Sequence, residues 1–345
     1  MSPRVLWGVA LSLLLSLLAI VWLLPSTPPV QSLTGAAVLP GLQEQINAVD
    51  RVTVQQAGVA DPVELRRDER FWRVQGLSGY PVAMTRLRPV LAALARAQVI
   101  EEKTANPAYF GRLGVQDLDT PGATGQLLSL YAGDAEQWSV LVGDEAQRRD
   151  GRYLRRPDQA QSLLSDFDAA LPKERLGWVD RRVVDLPAAQ LAELQLQHVD
   201  GETLTVSKLS ADETDFTLQE LPAGQAPRSS WSVNGLASAL AVLDFDAVVP
   251  AANFEGELLS QLRAVRFDGL TVSAELLAAE DAYWLRLSAS TPFVATEDQQ
   301  RDVLEQAAES INQRVQGWVY RIPDDKAEVM LRRLSDILLP EDGEA

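Results

Sequence analysis

Five arginines stand within nine residues, Arg148, Arg149, Arg152, Arg155 and Arg156, in the run QRRDGRYLRR. Guanidinium forks match the geometry of carboxylates and phosphates, so the run is a candidate contact for an anion or for an acidic patch on a partner. Asp144, Glu145 and Asp158 lie nearby, and pairing with them is the competing, more economical reading, since exposed pairs cost little to arrange. His198 is the sole histidine. That excludes a multi-histidine metal site and leaves one position for any Ser-His-Asp device. It alternates in phase with Leu194 and Leu196, as a partly buried strand residue does. None of the four lysines, Lys103, Lys173, Lys208 and Lys326, follows a serine by three residues, so the Ser-x-x-Lys signature is missing, and no Walker loop occurs.

Paired acids remain: Glu101 with Glu102, Asp117 with Asp119, Asp324 with Asp325. They are candidates for acid/base or calcium chemistry, but none has EF-hand spacing. Among 48 acidic residues such pairs arise by chance, and each is read as a solvated face or a helix cap. No catalytic residue, metal site or cofactor is assigned. The absence of cysteine closes disulfides, thiol nucleophiles and thiolate zinc ligands. A net charge of -17 opposes the phosphate neutralisation that nucleic-acid binding requires. Partners are therefore proteins or small ligands.

The elements that must position these residues begin with an anchor. Val5 to Leu24 is uncharged, and twenty helical residues cover about 30 Å, the hydrocarbon thickness of a bilayer. Trp7 and Trp22 sit near its ends, and Pro25 can stop the helix. The run is too long for a cleavable signal peptide, and the nearest small-residue site, at Ala36 and Ala37, lies well past it. It reads as a signal-anchor. Arg4 before the span, with no charge after it until Glu44, puts the N-terminus in the cytoplasm and the rest in the periplasm. Gly8, Ser12 and Ser16 share one face at four-residue spacing, a pattern that lets another helix approach, although a span contacting only lipid accommodates them equally.

Beyond the anchor the periods alternate. RVTVQ, VELRR and FWRVQG read as an antiparallel meander, and Leu87, Val90, Leu91 and Leu94 as one stripe of a helix. QLLSLYAG, WSVLVG and RYLRR are strands, with a hairpin tip at Asp150 and Gly151. Pro157 and Asp158 then open an expected helix faced by Leu163, Leu164, Phe167 and Leu171. The second half reads as a replay. WSVNG, 231–235, answers WRVQG, 72–76, and precedes a helix capped by Asn234; LTVSAEL and YWLRLSA answer LLSLYAG and WSVLVG; WVYRI answers RYLRR. An amphipathic helix over about 297–316 belongs to the second copy alone. The expected fold is α+β: a single N-terminal transmembrane helix, 1–25; a Pro/Ser/Thr/Gly-rich stalk, 26–45; two similar antiparallel-sheet-plus-helix domains, 46–175 and 176–340, from internal duplication; and an acidic tail, 341–345.

The strand with Trp72, the Tyr80 and Pro81 that lead into the following helix, the YFGRLGV stretch at 109–115 and the VLVG strand ending at Gly143 together resemble the bacterial DUF4340 family. The resemblance implies an anchored extracytoplasmic protein often encoded beside ABC-type components of the gliding-motility or auxiliary-exporter kind. It implies no catalytic residues. The expected function is a non-catalytic accessory or scaffold subunit in the inner membrane, partnered by integral membrane transport components. The alternative is a periplasmic hydrolase or binding protein acting on cell-envelope glycans.

Overall fold

A computed structural model describes residues 32–69, 71–147, 149–291 and 298–340. The anchor with Gly8, Ser12 and Ser16, the start of the stalk, Arg148 and the acidic tail lie outside the described residues. Among those residues no helix is long and apolar enough to cross a membrane. The folded body starts earlier than residue 46. Gly35 and Val38 hydrogen-bond through their amides to Val99 and Ala97, and α1 (Leu42–Gln45) buries Leu42 completely.

The first sheet collects β1 (Arg51–Gln56), β2 (Val63–Asp68), β3 (Phe71–Val74), β4 (Tyr80–Pro81), β5 (Val99–Glu102), β6 (Gln126–Ala132), β7 (Ala135–Glu145), β8 (Arg152–Arg155) and β9 (Ser162–Ser165). Its order is β4-β3-β2-β1-β6-β7-β8-β9-β5, antiparallel throughout. Alternation dictates which face is buried: Val52 stands opposite Leu65 and Leu130, and Val54 opposite Val63 and Leu128, so aliphatic side chains gather on one side. Helix α2 (Met84–Arg96) adds Leu87, Val90 and Leu94 to that core, with Pro89 in its second turn.

After β10 (Arg182–Val184), the second half comprises β11 (Leu191–His198), β12 (Thr203–Ser207), β13 (Thr217–Leu218), α3 (Ser230–Ala237), β14 (Leu243–Asp244), β15 (Ala247–Pro250), β16 (Glu257–Arg266), β17 (Thr271–Ala279) and β18 (Ala282–Ser290). It closes with α4 (Asp298–Val315), β19 (Trp318–Arg321), α5 (Asp324–Met330) and α6 (Leu334–Ile337). β10 and β14 pair with each other; the other strands form an antiparallel sheet, β13-β12-β11-β16-β17-β18-β19-β15. With β4 set aside, the first sheet runs β3-β2-β1-β6-β7-β8-β9-β5, the same succession of strand ranks.

Three sequence expectations are corrected. WRVQG begins in strand β3 whereas WSVNG lies inside helix α3, so the five-residue likeness does not mark equivalent positions. The cap of α3 is Ser229, whose hydroxyl accepts from the Ser232 amide, while Asn234 sits within the helix. Leu163 and Leu164 lie in strand β9, not in a helix: every residue from Ser162 to Ser165 is buried, and spacing alone does not separate a doubly covered strand from a helix.

The two halves meet through aromatic rings. Tyr80 stands edge-on to Phe245 at 5.3 Å and to Trp318 at 5.0 Å, and its hydroxyl lies 3.4 Å from that of Tyr320. The Tyr320 hydroxyl donates to the Arg314 carbonyl at 3.0 Å. Burial holds both phenols above the ordinary tyrosine pKa. One hydrophobic cluster contains residues of both sheets.

Candidate functional site

The arginine run is positioned by the β7–β8 hairpin, whose tip is set where the Ala146 amide donates to the Gly151 carbonyl at 3.0 Å. Each described arginine of the run has an acidic partner. Arg149 meets Glu101 at 3.1 Å, Arg152 meets Glu145, Arg155 meets Asp117, and Arg156 lies 3.7 Å from Asp158. They are not equivalent surface cations. Arg155 is only 3% exposed; its guanidinium also donates to the carbonyls of Val115 at 2.9 Å and Gln159 at 3.1 Å and lies 4.7 Å over the Phe110 ring. It ties the hairpin to the YFGRLGV stretch.

That stretch forms a 3-10 helix, Pro107–Arg112, capped where the Asn106 side chain accepts from the Ala108 amide. Phe110 is buried beneath it. The following turn lies directly on the sheet: the Asp144 amide donates to the Leu113 carbonyl at 3.0 Å. A Cβ at Gly143 would sit 2.1 Å from that carbonyl oxygen, and one at Gly125 would sit 2.2 Å from the Gly114 carbonyl. Backbone meets backbone there, so only glycine permits the approach.

Hairpin and turn enclose a cleft of about 540 Å3 lined by Glu101, Lys103, Arg112, Asp144, Glu145 and Arg149. A hydrogen bond from Lys103, supported by the charge of Arg149, holds the Glu101 carboxyl below the ordinary glutamate range. Three cations against three carboxylates give a neutral lining that suits a polar, mixed-charge surface better than a lone phosphate. Lys103, Arg112 and Asp144 were not legible as a group because they come from three separated segments.

The other chemistry-bearing residues hold main chain. His198 is buried and its Nε2 donates to the Arg332 carbonyl at 2.9 Å; Ser260, its neighbour across β11 and β16, donates to the Met330 carbonyl at 2.8 Å. Arg333 bridges Asp200 at 2.6 Å and Glu202 at 2.7 Å, and the Glu202 carboxylate also accepts from the Leu334 amide at 2.7 Å. The Glu202 amide, which donates to the Asp200 carboxylate at 3.2 Å, and then the Arg333 side chain lower the Asp200 pKa. Burial raises that of Glu202, but the Leu334 amide and Arg333 outweigh it and the net shift is downward. Of the acidic pairs, Glu102 accepts from the Leu33 amide at 2.7 Å, and Asp324 and Asp325 occupy the first turn of α5, where the helix dipole favours negative charge. Among the described residues no group of three or more His, Asp or Glu is arranged to hold a metal ion.

A second surface is more extended. On the face of the second sheet opposite its aliphatic rows, Gln197, Gln261, Glu275 and Arg286 align across β11, β16, β17 and β18. Gln195, Arg263, Ser273 and Ser288 form the neighbouring row. The rows line a shallow depression of about 470 Å3, with Arg286 paired to Glu275 at 3.0 Å.

The family model described as domain of unknown function (DUF4340) matches residues 72–269, from β3 to the turn between β16 and β17. No curated protein and no solved structure matches the chain. The match takes in Trp72, Tyr80, Pro81, the YFGRLGV turn and the Gly143 strand that closes on it, and since it covers more than half of the sequence, the chain belongs to the DUF4340 family.

Proposed function

We propose that the chain is a membrane-anchored, non-catalytic accessory or scaffold subunit of an ABC-type transport complex of the auxiliary-exporter or gliding-motility kind, its N-terminus cytoplasmic and its two sheets periplasmic. The observation that carries this reading is the pair of aligned polar rows on the second sheet, presented by four central strands. An open face with only a shallow depression suits contact with another protein better than enclosure of a small substrate. Engagement of His198 and Ser260 with main-chain carbonyls supports a structural role for both. The uncharged run Val5 to Leu24 supports the anchor and Arg4 its orientation.

The two halves arose by duplication in this proposal. Its support is the shared strand succession, which pairs β1 with β11, β6 with β16 and β9 with β19, one strand out of step with the likenesses read from short sequence motifs.

The test is isolation of the chain from native membranes after chemical cross-linking, with partners identified by mass spectrometry. Recovery with transporter membrane subunits is expected. Recovery without them, hydrolysis of cell-envelope glycans by the purified full chain, or a reporter fused after Ala345 that is active only in the cytoplasm would overturn the reading.

A further inference from the structure

A groove between α1 and α2 stands apart from the ion-paired surfaces. Ile46, Trp72, Met84, Leu91, Ala92 and Ala95 line about 360 Å3 of it, and apolar area predominates. Its rim carries Arg67, Arg88 and Arg96. Whereas the described hairpin arginines each face a carboxylate, none of these three does so among the described residues. Arg67 donates to the Asn47 carbonyl at 3.0 Å, Arg96 donates to the Ala92 carbonyl at 3.2 Å, and Arg88 is exposed. Helix α2 holds three arginines, Arg86, Arg88 and Arg96, and no acidic residue, on a chain of net charge -17. An apolar floor with unpaired cations at its edge is the complement of an apolar stripe edged by carboxylates.

We propose that this groove binds an amphipathic helix of a partner protein whose apolar stripe is bracketed by aspartate or glutamate. The inference goes beyond the accessory-subunit reading and does not require it. The spacing of the cations selects a helix over a lipid. Arg88 and Arg96 are eight residues apart, about 12 Å along the axis of α2, and Arg67 projects from the neighbouring sheet. A phosphate headgroup is held by donors that converge on one point, whereas cations spread over two helical turns match carboxylates seven or eight residues apart on a second helix.

The test uses the full chain in detergent and a displayed library of 18-residue helical peptides, with Asp, Glu, Lys, Gln and aliphatic residues varied at the flanking positions. Selected peptides are expected to carry acids on both sides of an aliphatic stripe. They should bind at least tenfold more weakly to an Arg88→Glu/Arg96→Glu variant and to Ala92→Trp, which fills the groove, and should weaken as salt rises. Arg149→Glu, in the other cleft, should leave their affinity unchanged. Thermal melting of each variant separates a lost contact from a lost fold, and the exposed Arg88 and Arg96 changes are expected to melt with the wild type. The proposal is overturned if no helical peptide is enriched, if enriched peptides lack acids, or if the double-arginine variant binds them equally. Sedimentation with phosphatidylglycerol vesicles that Arg88→Glu/Arg96→Glu abolishes, without peptide enrichment, would assign the groove to lipid and overturn it too.

Discussion

Replacing Arg155 by glutamine should destabilise the protein by about 3 kcal/mol, while the same change at Arg149, six residues away, should cost under about 0.5 kcal/mol. The difference follows from what each guanidinium touches. Arg149 is mostly exposed and shares a single carboxylate with Lys103, an arrangement water and salt largely screen. Arg155 donates to two main-chain carbonyls, and hydrogen bonds from a charged donor contribute about 1.5 to 3 kcal/mol each. Its stacking over Phe110 adds on the order of 1 kcal/mol. Asp117 adds little, since its side chain is 62% exposed. Glutamine recovers part of one hydrogen bond, which brings the expected loss to about 3 kcal/mol, or roughly 5 °C in melting temperature for a fold of this size. Arg155→Lys should fall between, because an ammonium cannot serve the three directions of a guanidinium fork. Thermal unfolding followed by circular dichroism measures all three variants. If Arg155→Gln melts within a degree of the wild type, the account of this arginine as the tie between hairpin and turn is wrong.

Gly143→Ala should cost about 2 kcal/mol or more in urea unfolding, because the added methyl meets the Leu113 carbonyl and breaks the Asp144 hydrogen bond beside it; a smaller loss would mean the turn lifts away easily. His198→Ala should cost about 2 to 3 kcal/mol by opening a cavity and orphaning the Arg332 carbonyl, and unchanged stability would remove it from the framework. Asp200 and Glu202 have folded pKa values below their unfolded ones. The stability they contribute is therefore complete above about pH 5, where the unfolded carboxyls are also ionised, and is lost as pH falls from there through the folded values. Arg333→Gln should flatten the acid side of the stability profile, and identical profiles for variant and wild type between pH 6 and pH 3 would count against the pair.

Much of the first sheet was legible because alternation is strong in RVTVQ and VELRR, which became β1 and β2. Helix α2 was legible because Leu87, Val90 and Leu94 repeat at helical spacing with no competing strand pattern. β9 was misread because both its faces are covered, which removes the alternation that distinguishes a strand. WSVNG reads either way because a tryptophan, a valine and a glycine are compatible with strand or helix, and the deciding signal, the Ser229 cap that forms a box with Ser232, begins two residues before the compared stretch. The cleft was the least legible feature. Its two halves are joined by Gly143 and Gly125, where the informative quantity is the distance between distant backbones and not a residue pattern.

The strand succession also dictates a schedule. In each sheet the strand following the helix waits at the far edge for the last one: β5, bridged on its outer side only by the short segment 35–38, has no sheet strand beside it until β9, about 60 residues later, and β15 none until β19, about 70 later. Closing a loop of that length costs on the order of 3 to 4 kcal/mol of chain entropy before any pairing returns it. Neither sheet can therefore be completed during synthesis until its final strand has emerged, and the Tyr80–Tyr320 seam must wait for both. This leaves the β9-facing edge of β5 unpaired during the interval, the stage at which a holding chaperone would have most to protect.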